Sequence, residues 1–585
     1  MEKKTSLINC HAHVFTGDHV PPYLAKTFLP WPLYYILSLR IIVKGFRLYF
    51  ETLGKSRFKP RYKRVEAVLY NIKIQAGRTI TGRVIAFLLG TLLAINVFYI
   101  IYDWISLVGF SPSTFGEELV KIRTLLRFYH LIQDFKSFYI QIILVLIFLV
   151  LFKSGRNFIF FIFKKVYAFL GILPGKQTKE LLERYLNIGR YAFHRQQNST
   201  YMDLKDQYPE NTGFVILPMD MEYMGAGKLK KGSGYLNQMA ELVELKQNKE
   251  FSDYVFPFVF ADPRRIEKQD DYFRCKISNN HVELLDCYIK DYIINNNFSG
   301  FKIYPALGYY PFDEILLPLW KYAADHNLPI MTHCIKGTIF YRGTKKKEWD
   351  RHPIFQQNIG SDLYEPLLLK QTNNIDFINN FTHPLNYLCL LDETLLRKIV
   401  KGAKNPKIRE LFGYTDDDTE LTCNLSQLKI CFAHYGGDDE WKRFLEMERY
   451  DFSKQIIKNP DRGIKFFPEK NEKPTPGKME QLWKYVDWYS LISSMMLQYK
   501  NVYADISYIV HSDEIHPLLK HSLKNVKLKD KILFGTDFYV VRNHKTEKYM
   551  LAECYHNLGE TELDTIAYVN PKRFLFNNIH GEIKI

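Results

Sequence analysis

The stretch SLINCHAHVF, Ser6–Phe15, places His11 and His13 one residue apart at the end of an apolar run. In a β-strand, residues i and i+2 share a face, so both imidazoles project the same way. The pair is either two metal ligands at a strand end or two histidines of an ordinary strand. The rest of the chain has to decide. From Gly213 onward, seven more apolar runs alternate with helical patterns: GFVILPMDM (213–221), VFPFVFADP (255–263), GFKIYPALG (300–308), LPIMTHCIKG (328–337), LKICFAHYGG (428–437), NVYADISYIV (501–510) and KILFGTDFYV (531–540). Between them lie SGYLNQMAELVELKQN, HVELLDCYIKDYIINN and FDEILLPLWKYAADHN, read here as helices. Strands alternating with helices signal βα units around a parallel sheet, and eight of them predict an α/β fold, a closed (β/α)8 TIM barrel.

The polar residues at the strand ends then fall into one pattern. His11 and His13 end the first strand, Lys302 lies on the fourth, His333 ends the fifth, His434 the sixth and Asp537 the eighth. A barrel's active site lies where the C-terminal strand ends meet the loops, so these residues converge on one mouth. A lone histidine in an apolar run is usually structural, but four histidines and an aspartate at the same end of four strands read as a metal site. His11, His13 and His333 offer neutral nitrogens and Asp537 a hard oxygen, a mixed set that suits one divalent ion, Zn²⁺ first, with Mn²⁺, Fe²⁺ or Co²⁺ also accommodated. An open position on such an ion lowers the pKa of its water from 15.7 to about 7. Asp537 is also placed to accept that water's proton.

This pattern resembles the metal-dependent amidohydrolase superfamily, in its amidohydrolase 2 branch, which includes aminocarboxymuconate semialdehyde decarboxylase and related hydrolases. Lesser features extend the resemblance: FADPRR (260–265), THPLNY (382–387), NVYADIS (501–507) and NPKRFLF (570–576). It covers residues 5–15 and roughly 211–580. It implies a catalytic role for His434 in polarising the substrate or assisting water activation. Some two-metal relatives carbamylate a lysine at the fourth strand. For Lys302 the other readings are binding an anionic substrate group or packing in the barrel. Arg264 and His383, with Arg265 and His511, are expected at the mouth as substrate-binding or solvated loop residues.

Residues 16–210 have no counterpart in that pattern and read as a large helical insertion between strands one and two. The domain reading is therefore 1–15 as the first strand, 16–210 as a membrane insertion and 211–585 as the remaining barrel. Val84–Tyr102 is nineteen residues without a charge, about 28 Å as a helix and enough to span a bilayer. Phe138–Phe152 is a shorter apolar run, and transmembrane helices are predicted at about 84–106 and 138–160. Residues 30–50, which mix aromatics with Arg and Lys, read as an interfacial amphipathic helix. The net charge of +16 lies entirely in this part: residues 1–210 hold 29 Lys+Arg against 13 Asp+Glu, and residues 211–585 hold 50 of each. A neutral catalytic part argues against a nucleic-acid partner. Basic clusters outside both spans place those flanks, and with them the barrel, on the cytoplasmic side of the cell membrane in a two-span, multi-pass arrangement. Eight cysteines without CxxC spacing read as reduced thiols.

The sequence reading is therefore a membrane-anchored, metal-dependent hydrolase acting on a C–N or ester-like bond of a small molecule that arrives from or near the lipid. A metal-dependent non-oxidative decarboxylase of the same branch is the alternative within enzymes. A non-catalytic membrane scaffold is the alternative outside them, and homo-oligomerisation stays open.

Overall fold

A computed structural model describes residues 7–24, 39–49, parts of 64–79, 80–107, 114–151 other than Lys136, single positions up to 161, and 188–576 apart from 338, 361–362, 371–372, 447–451 and 469–476. Eight parallel strands form one sheet in sequence order: β1 (Leu7–Ala12), β2 (Thr212–Ile216), β3 (Val255–Phe260), β4 (Gly300–Ile303), β5 (Ile330–His333), β6 (Ile430–Ala433), β7 (Val502–Asp505) and β8 (Ile532–Leu533). The sheet closes where the chain after β8 meets β1. Cys10 N–H donates to Phe534 O at 2.8 Å, Asp537 N–H donates to His11 O at 2.9 Å, and Ala12 bridges Phe538 in parallel. The predicted (β/α)8 barrel is present.

The first strand carries an irregularity that determines where its histidines point. Asn9 pairs with Phe214 but Ala12 pairs with Ile216, so β1 spends one residue more than β2 over that interval. A bulge of this kind re-aims the side chains beyond it. Below it, Ile8 and Cys10 join Val215, Phe258, Met331 and Leu533 in the barrel's inner core. Above it, His11 and His13 turn inward as well, and the strict alternation of a regular strand would not have allowed both sets. Outside the barrel, helices cover the strands. Trp320 of the helix Leu317–Asp325 is fully buried against Phe301 of β4, and its indole N–H donates to Pro311 O at 2.8 Å.

One element departs from the expected pattern. The stretch 281–296, expected to be helical throughout, starts as a strand: His281–Leu284 pairs antiparallel with Cys275–Ser278. Asn279 and Asn280 join the two with φ of 49° and 63°, the left-handed pair that a two-residue hairpin turn requires and that asparagine tolerates. Helix begins only at Tyr288.

The chain divides into two compact units, Met1–Arg47 with Arg184–Ile585, and Leu48–Glu183. The helix α1 (Arg40–Tyr49) falls within the 30–50 stretch, and in the first unit Arg47 pairs with Asp18 at 2.5 Å. The second contains α2 (Ile80–Leu107), α3 (Thr114–Phe128) and α4 (Phe138–Leu151). Among the described residues one helix, Ile80–Ser106, is long and apolar enough to cross a membrane. The second predicted span is a shorter apolar helix, and its continuation over 152–156 and 158–160 lies outside the described residues. Within this unit, Arg123 of α3 forks onto Asp103 of α2 at 2.6 and 2.7 Å, and Trp104 donates to Gln141 of α4 at 2.7 Å.

Candidate metal centre

The strand ends bring His11, His13, His333, His434 and Asp537 into one buried cluster. Two of these residues reach it through left-handed backbone: φ is 64° at both His434 and Asp537. Such strain in a non-glycine residue costs of order 1–3 kcal/mol and concentrates at functional sites. His13 Nε2 lies 3.3 Å and His11 Nε2 3.6 Å from Asp537 Oδ1. These three residues form a group whose ligand atoms all lie within 4.8 Å of one another, and His11, His434 and Asp505 form a second such group. His333 belongs to neither. It is joined to the cluster through His434, whose Nε2 lies 3.1 Å from His333 Nδ1.

The proton positions follow from the fixed acceptors. His13 Nδ1–H can only donate to the Leu217 carbonyl at 2.8 Å, which leaves Nε2 with a lone pair. His11 Nδ1–H donates to Asp505 Oδ2 at 3.0 Å, so its Nε2 is also a lone pair. The Ser507 hydroxyl donates to Asp505 Oδ1, so His434 Nδ1, 3.2 Å from the Ser507 carbonyl, carries its hydrogen. His434 Nε2 must then accept from His333 Nδ1–H, and His333 Nε2 is the third lone pair. Among the described residues, both His11 Nε2 and His333 Nε2 are buried without a hydrogen-bond partner. Lone pairs and a carboxylate facing one another with no proton between them are mutually repulsive, and a divalent cation resolves that repulsion. The donor set fits a divalent ion, with the Leu217 carbonyl, the Asp505 carboxylate and the His434 imidazole behind it fixing the tautomers.

The electrostatics keep His11, His333 and His434 neutral. Burial, then Lys302 and His13, holds His11 well below the ordinary histidine range, and burial with His434 and Lys302 does the same for His333. His434 is pushed down to about 3 by burial, partly opposed by Asp537. Lys302 is fully buried in the barrel, its Nζ without a partner among the described residues. Burial lowers it to about 8 against the pull of Asp505 and Asp537.

Two residues at the heart of this network were read from the sequence only as part of a strand. Asp505, at the end of β7, accepts from His11, from the backbone N–H of His434 at 3.0 Å, from Ser507 N–H at 2.9 Å and from the Ser507 hydroxyl. Arg264 and His383 do not join the cluster. Arg264 forks onto Asp262 and donates to the carbonyls of Tyr223 and Leu307, tying together the loops after β2 and β4. His383 stacks on Trp483 at 3.9 Å and accepts from Leu385 N–H at 3.2 Å, which starts the turn Pro384–Tyr387. Arg265 is buried between Asp220 and Glu222. His511 stacks on His544 at 3.9 Å.

No family model matches the chain, and no curated protein matches it. Solved structures do match. An amidohydrolase from Mycobacterium avium subsp. paratuberculosis K-10 is 13% identical, with 65% of this chain and 74% of that one covered and a TM-score of 0.28. A 5-carboxyvanillate decarboxylase from Novosphingobium aromaticivorans DSM 12444, complexed with manganese and 4-hydroxy-3-methoxy-5-nitrobenzoic acid, is 12% identical. There the coverage is 70% of this chain and 87% of that one, and the TM-score is 0.32.

Proposed function

We propose that this chain is a metal-dependent hydrolase acting on a C–N or ester-like bond of a small molecule, with His11, His13, His333 and Asp537 holding one divalent ion, Zn²⁺ in first place. The observation that carries this reading is the convergence of the His13 and His11 Nε2 lone pairs, set by Leu217 and Asp505, on the Asp537 carboxylate. When bound, the ion supplies Lewis acidity and acidifies water at neutral pH. Asp537 accepts the proton of the attacking water at its carboxylate. His434, neutral and buried beside it, is the second candidate proton acceptor, and its Nε2 becomes available when the bond from His333 is released. Lys302 supplies positive charge beneath the centre for an anionic substrate group.

The decisive experiment is metal analysis of the purified full-length protein, followed by product analysis. Close to one equivalent of ion, with release of an amine, alcohol or acid from a substrate panel, supports hydrolysis. Release of CO₂ moves the chemistry to non-oxidative decarboxylation at the same centre. A protein that takes up no metal returns the barrel to the scaffold reading.

We further infer that the unit Leu48–Glu183 attaches the enzyme to a membrane, with two spans and the barrel on the cytoplasmic side. The apolar helix Ile80–Ser106 and the exposed apolar side chains of α2 and α4, such as Phe87, Leu88, Phe138 and Ile143, favour this. Protease added to sealed, right-side-out membranes should spare the barrel and cut, if anywhere, within 111–137. Digestion of the barrel would overturn the orientation.

A further inference from the structure

Tyr304 stands two residues beyond Lys302, on the same inward-facing side of the chain at the end of β4. Its backbone is fixed: Tyr304 N–H donates to the Tyr309 hydroxyl at 2.9 Å, which in turn donates to Ala261 O at 3.2 Å beyond β3. Its ring lies flat on His333, with centroids 3.8 Å apart and planes 13° apart. The side chain is buried, with 4% exposure. Its hydroxyl makes no hydrogen bond among the described residues and retains a sliver of access. Buried tyrosines elsewhere in the barrel spend their hydroxyls on the fold: Tyr208 on Glu547, Tyr387 on Thr332 and Tyr435 on Ser493. Tyr201 and Tyr310 also lack partners, but their rings pack in aromatic clusters away from the centre.

The chain above Tyr304 is kept clear. A Cβ on Gly337 would lie 3.2 Å from both the Tyr304 hydroxyl and His333 Nε2. The hydroxyl and the orphaned nitrogen therefore sit at the same end of the stacked rings, under one residue that has no side chain. An imidazole lone pair and an unspent phenol donor thus lie beside one another beneath the Gly337 backbone, so an oxygen atom bound to a cation at the nitrogen would come within reach of the hydroxyl.

We propose that the Tyr304 hydroxyl binds an oxygen atom of the substrate, from a carboxylate or acyl group, at the metal centre. The proposal rests on the metal reading above and adds a substrate contact to it. Tyr304→Phe isolates the hydroxyl, because the stacked ring is retained. The experiment loads the full-length protein with cobalt(II), follows the visible absorption of the ion and titrates with acetate at constant ionic strength. The expected result is equal cobalt content in wild type and variant, with acetate bound tenfold to a hundredfold more weakly by the variant, as befits one hydrogen bond to a charged group. Acetate affinities within twofold of each other would overturn the proposal. So would loss of cobalt by Tyr304→Phe, which would assign the hydroxyl to the ion's support, or a cobalt-loaded wild type whose absorption ignores acetate. A wild-type protein that binds no cobalt refutes the metal centre itself, and with it this contact. That result is distinguishable because it appears before any acetate is added.

Discussion

Asp505→Asn is the sharpest test of how the centre is held. The change is nearly isosteric and touches none of the atoms assigned to the ion. In the native protein the carboxylate accepts four hydrogen bonds, from His11, Ser507 N–H, the Ser507 hydroxyl and the backbone of His434. An asparagine has one acceptor oxygen and an NH₂ that can only donate. If the oxygen stays with Ser507 and the His434 backbone, the NH₂ faces His11 Nδ1 and forces that imidazole into the other tautomer. His11 Nε2 then carries a hydrogen directed at the cation position. Loss of a supporting group of this kind lowers metal affinity about 10- to 100-fold, or roughly 1.4–2.8 kcal/mol. Competition with a chromophoric chelator measures the affinity, and circular dichroism checks that the barrel is intact. A folded Asp505→Asn protein with wild-type metal affinity would refute the tautomer argument on which the donor set rests.

His11→Ala and Asp537→Asn should each remove bound metal and activity together. His434→Asn should lose activity but keep most of the metal, because His434 is not among the groups assigned to the ion; equal metal loss in all three would show that His434 is itself a ligand. Gly337→Ala brings a methyl to 3.2 Å from Tyr304 and His333, so it should retain cobalt yet bind acetate at least tenfold more weakly, read from the same titration. Glu547 is fully buried, accepts from Tyr208 and Thr536, and is raised by burial to about 7. A raised carboxyl pKa contributes stability that is fully present below the unfolded pKa of about 4.3 and is lost as pH rises through about 7. Glu547→Gln should therefore melt several degrees above wild type at pH 8 and show no such advantage at pH 4; parallel melting curves across that range would refute the assignment.

The parts of this centre that were legible in the sequence are those at the ends of apolar runs. His11, His13, His333, His434 and Asp537 each terminate a recognisable strand, and barrel geometry brings strand ends together whatever lies between them. Asp505 and Ser507 stand in an equally recognisable strand. Their role, however, depends on partners such as His11, 494 residues away, and nothing local in NVYADIS distinguishes a strand-end carboxylate that orients a ligand from one that is merely capped. Tyr304 was passed over because an aromatic at a strand end reads as core. Arg264 and His383 pose the opposite problem. Their side chains suit a substrate pocket, but nearby carbonyls and Trp483 engage them first. The bulge in β1 was invisible, since it depends on the register against β2 and not on β1 alone.

The pairing of β1 with β2 also bears on the order of synthesis. Leu7 lies against Thr212, so the first strand leaves the ribosome long before its neighbour and must wait for it. By chain-closure entropy, each doubling of a loop costs about 0.6 kcal/mol, so a connection of some two hundred residues in place of a dozen costs roughly 2–3 kcal/mol. A compact unit within that connection leaves fewer free residues to close. The seam between β8 and β1 cannot close until β8 has been synthesised, and Asp505, Asp537 and the hydrogen bonds that set His11 arrive only with the final strands. A nascent or truncated chain therefore carries His11 and His13 without the groups that orient them. On the proposed ligand set, metal capture would be tied to completion of the polypeptide, and a chain stalled before residue 500 should emerge unable to load the ion, whatever the supply.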